Sequence, residues 1–125
     1  MIAYCYLSTM LLDKNWNFLN SYITLPSDFY SEIKPSPISQ PELLIFNESL
    51  ANELGLGELN NEKEYLASVL SGNYSPEGTS PIAQAYGGHQ FGHFNVLGDG
   101  RAILLGEIIT PTEERMDIQL KGCLL

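Results

Sequence analysis

The sequence predicts an α+β fold of antiparallel strands with a few short helices. Three observations carry that reading. The run from Arg101 to Ile109 is nearly continuous apolar, a polar break over Thr110 to Arg115 contains Pro111, and Met116 to Lys121 then alternates. That is a buried strand, a hairpin loop and a returning strand, with Lys121 on the face opposite Ile118 and Leu120. Upstream, two stretches carry helix start and stop signals. The chain has 125 residues, enough for one domain with a modest core and too few for two.

Met1 to Leu12 is fairly apolar, lacks a basic flank and is too short to span a bilayer. Residues 1–15 are therefore read as an ill-defined leader and 16–125 as the domain portion. Trp16 to Tyr22 is aromatic and Asn-rich, and Leu25-Pro26 and Pro35-Ser36-Pro37 follow. Prolines at this density favour extended and turn structure, so this region is expected to wrap over a core rather than form one. Glu42 to Phe46, after Pro41, suits a short strand. Asn47 can cap a helix over Glu48 to Leu54, with Leu50 and Leu54 on one face and Gly55 as the stop. A second helix fits Glu62 to Leu70, capped by Asn61 and closed near Gly72, with Tyr65, Leu66, Val69 and Leu70 as its apolar stripe. Ser80-Pro81 resembles an N-cap followed by proline at the first helical position, so Ile82 to Tyr86 is expected to make one or two helical turns, ended by Gly87 and Gly88.

Fifteen acids against six bases give a net charge of −9, which excludes non-specific nucleic-acid binding and docking on anionic membranes. Acidity does not exclude a nucleotide, because one Arg and one Lys can hold phosphates locally. Cys5 and Cys123 have no CxxC spacing and give no metal or redox motif, so the default reading is reduced thiols in the cytoplasm.

The turn Gly98-Asp99-Gly100-Arg101 precedes a strand, and Lys121 lies on the next one. Glycines that let backbone N–H groups approach an anion, with an Arg and a Lys, are what a phosphate corner needs. A turn before a strand disfavours the Rossmann and Walker A loops, which place phosphate on a helix N-terminus. Protein kinases use a glycine turn between strands with lysine on the following strand. Two strands of about five to eight residues and a hairpin fill the span from Gly98 to Lys121, returning the lysine beneath the turn. Gly-Asp-Gly is also a common hairpin corner, and on the residues alone both readings stand. His89 and His93 have the i,i+4 spacing of a zinc helix, but Gln90 stands where a metalloprotease needs Glu, and Gly87, Gly88 and Gly92 disfavour helix. They are read as loop histidines. Asp99 shapes its turn, and Glu107 and Asp117 are read as solvated strand residues with no catalytic role.

A series of blocks in order resembles the N-terminal part of the selenoprotein O (YdiU) family of protein adenylyltransferases. It opens with Trp16-x-Phe18-x-Asn20-Ser21-Tyr22 and passes through Leu25-Pro26, Phe29-Tyr30 and Pro35-x-Pro37. Next come Asn47-x-x-Leu50-Ala51-x-x-Leu54-Gly55-Leu56 and Leu70-Ser71-Gly72-Asn73. Pro81-Ile82-Ala83-x-Ala85-Tyr86-x-Gly88-His89-Gln90-Phe91-Gly92, Leu97-Gly98-Asp99-Gly100-Arg101-Ala102 and Asp117-Ile118-Gln119-Leu120-Lys121-Gly122 complete it. Leu19 stands where the family usually has Asp. The resemblance implies a protein-kinase-like fold of which this chain is a truncated N-terminal part. It implies transfer of AMP from ATP to Ser, Thr or Tyr hydroxyls of protein substrates, with Mg2+ held by residues downstream of this chain. It matches Gly98, Gly100 and Arg101 to the first nucleotide-binding turn and Lys121 to the phosphate-contacting lysine.

After Gly122 the family continues into a Ser-Gly-rich loop and a long body, whereas this sequence reads Cys123-Leu124-Leu125, as a frameshifted or truncated coding sequence does. Three readings follow: an enzyme by family, inactive as an isolated fragment; a non-catalytic remnant; or a small acidic interaction domain. With no helix after Lys121, part of the apolar surface of Ala102 to Ile109 and Ile118 to Leu120 is expected to stay exposed.

Overall fold

The computed structural model describes residues 9–84 and 102–122, and the backbone alone of 86–90 and 93–97. Six strands form two antiparallel sheets among these residues. Strands β1 (Tyr30–Glu32), β2 (Ile82–Gln84), β5 (Ala102–Ile109) and β6 (Arg115–Lys121) make a four-stranded sheet in the order β1-β2-β5-β6. Strands β3 (Tyr86–Gln90) and β4 (His93–Leu97) make a separate hairpin. Helices α1 (Glu48–Glu53) and α2 (Lys63–Leu70) and three 3-10 turns supply the rest of the named elements. The α+β class with antiparallel strands and short helices is as the sequence predicts.

The β5–β6 hairpin is the centre of the sheet. Thr110 closes its loop: Thr110 N–H donates to Glu114 O at 2.8 Å, and Glu114 N–H to Thr110 Oγ1 at 3.0 Å. The pairing runs from Ile109↔Arg115 to Ala102↔Lys121, with a register shift between Leu104 and Gly106. That bulge re-phases the strand. Ile103 and Leu105 face the core before it and Ile108 after it, and Glu107 turns to the other face. Gly106 is required there by close approach. A Cβ at this position would stand 2.9 Å from Phe18 Cδ1 and 3.0 Å from the backbone oxygen of Leu19.

Several expectations change once the chain is folded. Trp16 to Tyr22 does not merely wrap the core. Trp16 and Phe18 are buried in it, their rings stacked 5.3 Å apart, beside Leu59, Leu66 and Val69. These aromatics and helices cover one face of the sheet, so Ile103, Leu105, Ile108 and Leu120 are buried, and the expected exposure is limited to the ends of β5, at Ala102 and Ile109, with Ile118 half-buried. Glu42 to Phe46 forms no strand. Leu43 and Phe46 pack inward while Leu44 and Ile45 are 86% and 89% exposed, a spacing of three that no strand face provides.

Asn47 does cap α1, its Oδ1 accepting from Leu50 N–H at 3.0 Å. The helix buries Ala51 rather than Leu50, which is exposed. Helix α2 starts one residue later than expected, with Glu62 rather than Asn61 at its N-cap and no side-chain cap. It buries Leu66, Ala67 and Val69, and Leu70 sits at the exposed edge of the stripe. Ile82–Gln84 is strand rather than helix, as is Tyr86 at the start of β3; Ala85 lies outside the described residues. Local N-cap chemistry at Ser80-Pro81 loses to pairing, because Ile82 and Ala83 are buried between β1 and β5. Gly87 and Gly88 pair with Val96 and Asn95 inside β3.

Candidate functional site

Lys121 is the one predicted phosphate contact that lies within the described residues. Gly98, Gly100 and Arg101 lie outside them, as does Asp99. The register nevertheless puts Lys121 directly across from Ala102, the first residue after that turn. The hairpin therefore returns the lysine to the start of β5, as its length predicts.

Lys121 lines a cleft of about 390 Å³ with Ser36, Pro37, Ile38, Leu70, Ser71 and Gly122. Among the described residues no carboxylate lines it. Among the described residues Lys121 forms no ion pair, and in a chain of net charge −9 such a lysine leaves a local positive potential. The 36–38 segment of this lining is fixed by the turn after α2. Asn73 grips Ile38 twice, accepting from its N–H on Oδ1 and donating from Nδ2 to its carbonyl, both at 2.7 Å. Gly72, at φ +85°, lets the backbone close on Pro35, whose Cβ lies 2.5 Å from where a Cβ on residue 72 would stand.

Two other clefts have different chemistry. One, of about 210 Å³, lies between α1, α2 and the 45–47 segment and is hydrocarbon except for Asn47, so it offers a phosphate nothing. The other, by Asp13, Lys14, Asn17 and Glu77, mixes charges. Its Asp13 is buried and fully engaged. The carboxylate accepts from Tyr65 Oη at 2.7 Å, Tyr74 Oη at 2.6 Å and Glu77 N–H at 3.0 Å. Trp16 Nε1 donates to Tyr65 Oη in turn, at 2.9 Å. Burial first, and then the bond to Asp13, push the Tyr65 phenol far above its ordinary range. This network ties 9–13, which is helical, to α2 and the 74–77 turn. Its members are scattered along the chain, so no local spacing announces it.

Glu107 is not the solvated residue that strand alternation predicts. It is 4% exposed. Leu19 takes the edge of β5 beyond the end of β2, exchanging backbone bonds with Glu107 at 2.7 and 2.8 Å. This brings Ser21 N–H within 3.1 Å of Glu107 Oε1, and the Ser21 hydroxyl donates to the same oxygen. Arg115 Nη1 meets Oε2 at 3.1 Å. The carboxylate is thus a clamp. Asp117, across from Glu107, is exposed. His89 and His93 lie in paired strands, opposite Phe94 and Gln90, rather than in a loop or helix. Among the described residues no three His, Cys, Asp or Glu side chains gather as a metal site, and no helix is long and apolar enough to cross a membrane.

A family model described as protein adenylyltransferase SelO matches residues 13–124. The chain is similar to proteins named protein nucleotidyltransferase YdiU. It is 58% identical over 111 residues to that of Brevibacillus brevis, covering 89% of this chain and 23% of the relative. It is 59% identical over 110 residues to that of Bacillus cereus strain B4264, covering 88% and 22%. It is 58% identical over 111 residues to that of Anoxybacillus flavithermus, covering 89% and 23%. The chain thus spans less than a quarter of the length of the curated relatives it matches.

Proposed function

The chain belongs to the SelO family of protein adenylyltransferases, and from that premise we propose that it is the first nucleotide-binding part of a cytoplasmic enzyme with a protein-kinase-like fold. That enzyme moves AMP from ATP to Ser, Thr or Tyr hydroxyls of proteins. The observation that carries the reading is the Lys121 cleft, which has a cation and no carboxylate among its described lining residues in an acidic chain. An ammonium there neutralises phosphate charge and fixes the phosphate chain relative to the β5–β6 hairpin. Gly98, Gly100 and Arg101, which immediately precede Ala102 in sequence, are proposed to supply the backbone N–H groups and guanidinium of the same phosphate site.

Magnesium, when bound, neutralises charge on the phosphates in this kind of transfer. The carboxylates described here do not make its site. Glu107 is consumed by Ser21 and Arg115, and Asp117 stands as a single exposed acid. Residues 1–125 are therefore expected to transfer no AMP by themselves.

The test uses this chain fused to the remainder of a relative. Lys121→Ala should weaken ATP binding by about tenfold to a hundredfold, the worth of a charge-assisted phosphate contact. Lys121→Arg should restore it only in part, because the guanidinium has a different shape. Unchanged ATP affinity in Lys121→Ala would make the lysine an ordinary strand residue. Label from α-labelled ATP should appear on protein with the fusion and not with residues 1–125. Transfer by the short chain would mean that it holds a complete site.

A further inference from the structure

The 35–38 loop, which lines the same cleft as Lys121, is well fixed for an exposed proline-rich loop. Asn73 holds both backbone polar groups of Ile38, Pro35 is seated on Gly72, and β1 begins the segment at Tyr30–Glu32. These contacts hold residues 36–38 in the lining of the cleft that Lys121 shares. Within that lining, Ser36 is half-buried, and among the described residues no hydrogen bond engages its hydroxyl. Ser71, by contrast, already donates to Ser68 O at 3.1 Å. A cation and a free hydroxyl lining one cleft, with no carboxylate among its described lining residues, suit a polyphosphate.

We propose that Asn73 is a positioning residue for polyphosphate binding, holding the Pro35–Ile38 loop so that Ser36 and Lys121, which line the same cleft, bind the phosphate chain together. This rests on the reading of Lys121 as a phosphate contact and adds the loop to it. A pre-set site binds more tightly because no loop has to be ordered when the ligand arrives.

The experiment is titration of the 125-residue chain with inorganic tripolyphosphate at low ionic strength, followed by amide chemical shifts. Shifts are expected at 36–38, 71–73 and 121–122. Asn73→Ala should weaken binding by roughly threefold to tenfold and Ser36→Ala by a similar factor, as for loss of one or two hydrogen bonds. Lys121→Ala should abolish it, and Lys14→Ala, a cation in a different cleft, should leave it unchanged. Thermal unfolding of each variant is measured alongside. A purely structural Asn73 would lower the midpoint and leave the affinity, measured well below that midpoint, unaltered; that result overturns the positioning role. Ser36→Ala keeps the question open to refutation even where Asn73→Ala unfolds, because among the described residues the serine hydroxyl makes no hydrogen bond that the fold would lose. No binding by the parent chain overturns the cleft itself. Loss of ATP affinity in the fused Lys121→Ala protein, with no effect here from Asn73 or Ser36, would sink the role of the loop alone.

Discussion

Replacing Glu107 by alanine removes the clamp that holds the N-terminal segment against β5. The carboxylate receives the Ser21 N–H and hydroxyl on one oxygen and Arg115 on the other. Hydrogen bonds to a charged group contribute about 1.5–3 kcal/mol each. Ser21 is exposed, so water can take up its donors once the carboxylate is gone, and the low end applies. The Arg115 side chain is 57% exposed, so solvent screening limits its ion pair to at most about 1 kcal/mol. The backbone bonds between Leu19 and residue 107 survive the substitution. The total is a loss of about 3 kcal/mol, which lowers the unfolding midpoint by roughly 10–15 °C in a domain of this size. Glu107→Gln keeps an acceptor for Ser21 and should lose about half as much. Urea unfolding followed by far-UV circular dichroism measures both. A Glu107→Ala chain within about 0.5 kcal/mol of the parent would show that the carboxylate is solvated after all, as an isolated surface substitution would be.

Other outcomes follow from the same packing. Tyr65 is held protonated when folded, whereas an unfolded tyrosine ionises near pH 10. The unfolded chain therefore binds fewer protons above that pH, and stability should be full below it and fall as pH rises beyond it. Tyr65→Phe should flatten that alkaline loss, at a cost of about 1–3 kcal/mol at neutral pH from stranding Trp16 Nε1 and one oxygen of Asp13. A steep alkaline loss that persists in Tyr65→Phe would assign the effect to other groups. Gly106→Ala should destabilise by about 2 kcal/mol or more, because the new Cβ meets the Leu19 carbonyl and the Phe18 ring, neither of which can yield cheaply. Near-parental unfolding of Gly106→Ala would mean that the bulge does not hold Phe18 this closely.

The sequence alone carried the β5–β6 hairpin, the cap of α1 and the family, because each is written locally. Apolar alternation, an Asn before a helix and ordered motif blocks need no distant partner to be recognised. Its errors have the opposite character. Ser80-Pro81 has the chemistry of a helix start, yet Ile82 and Ala83 go where two neighbouring strands leave an unpaired edge. Alternation puts Glu107 toward solvent. Only the fold brings Leu19 and Ser21 across more than eighty residues of chain to cover it. Leu44 and Ile45 read as strand, but no sheet edge reaches them. Lys121 was singled out from its position after a glycine turn. That it shares a cleft with Ser36 and the Asn73-held loop was not legible, because those groups come together only when α2 delivers its C-terminal turn beside the end of β6. Local signals report what a segment prefers in isolation; burial, edge pairing and the partners of a charge are set by what the rest of the chain brings alongside.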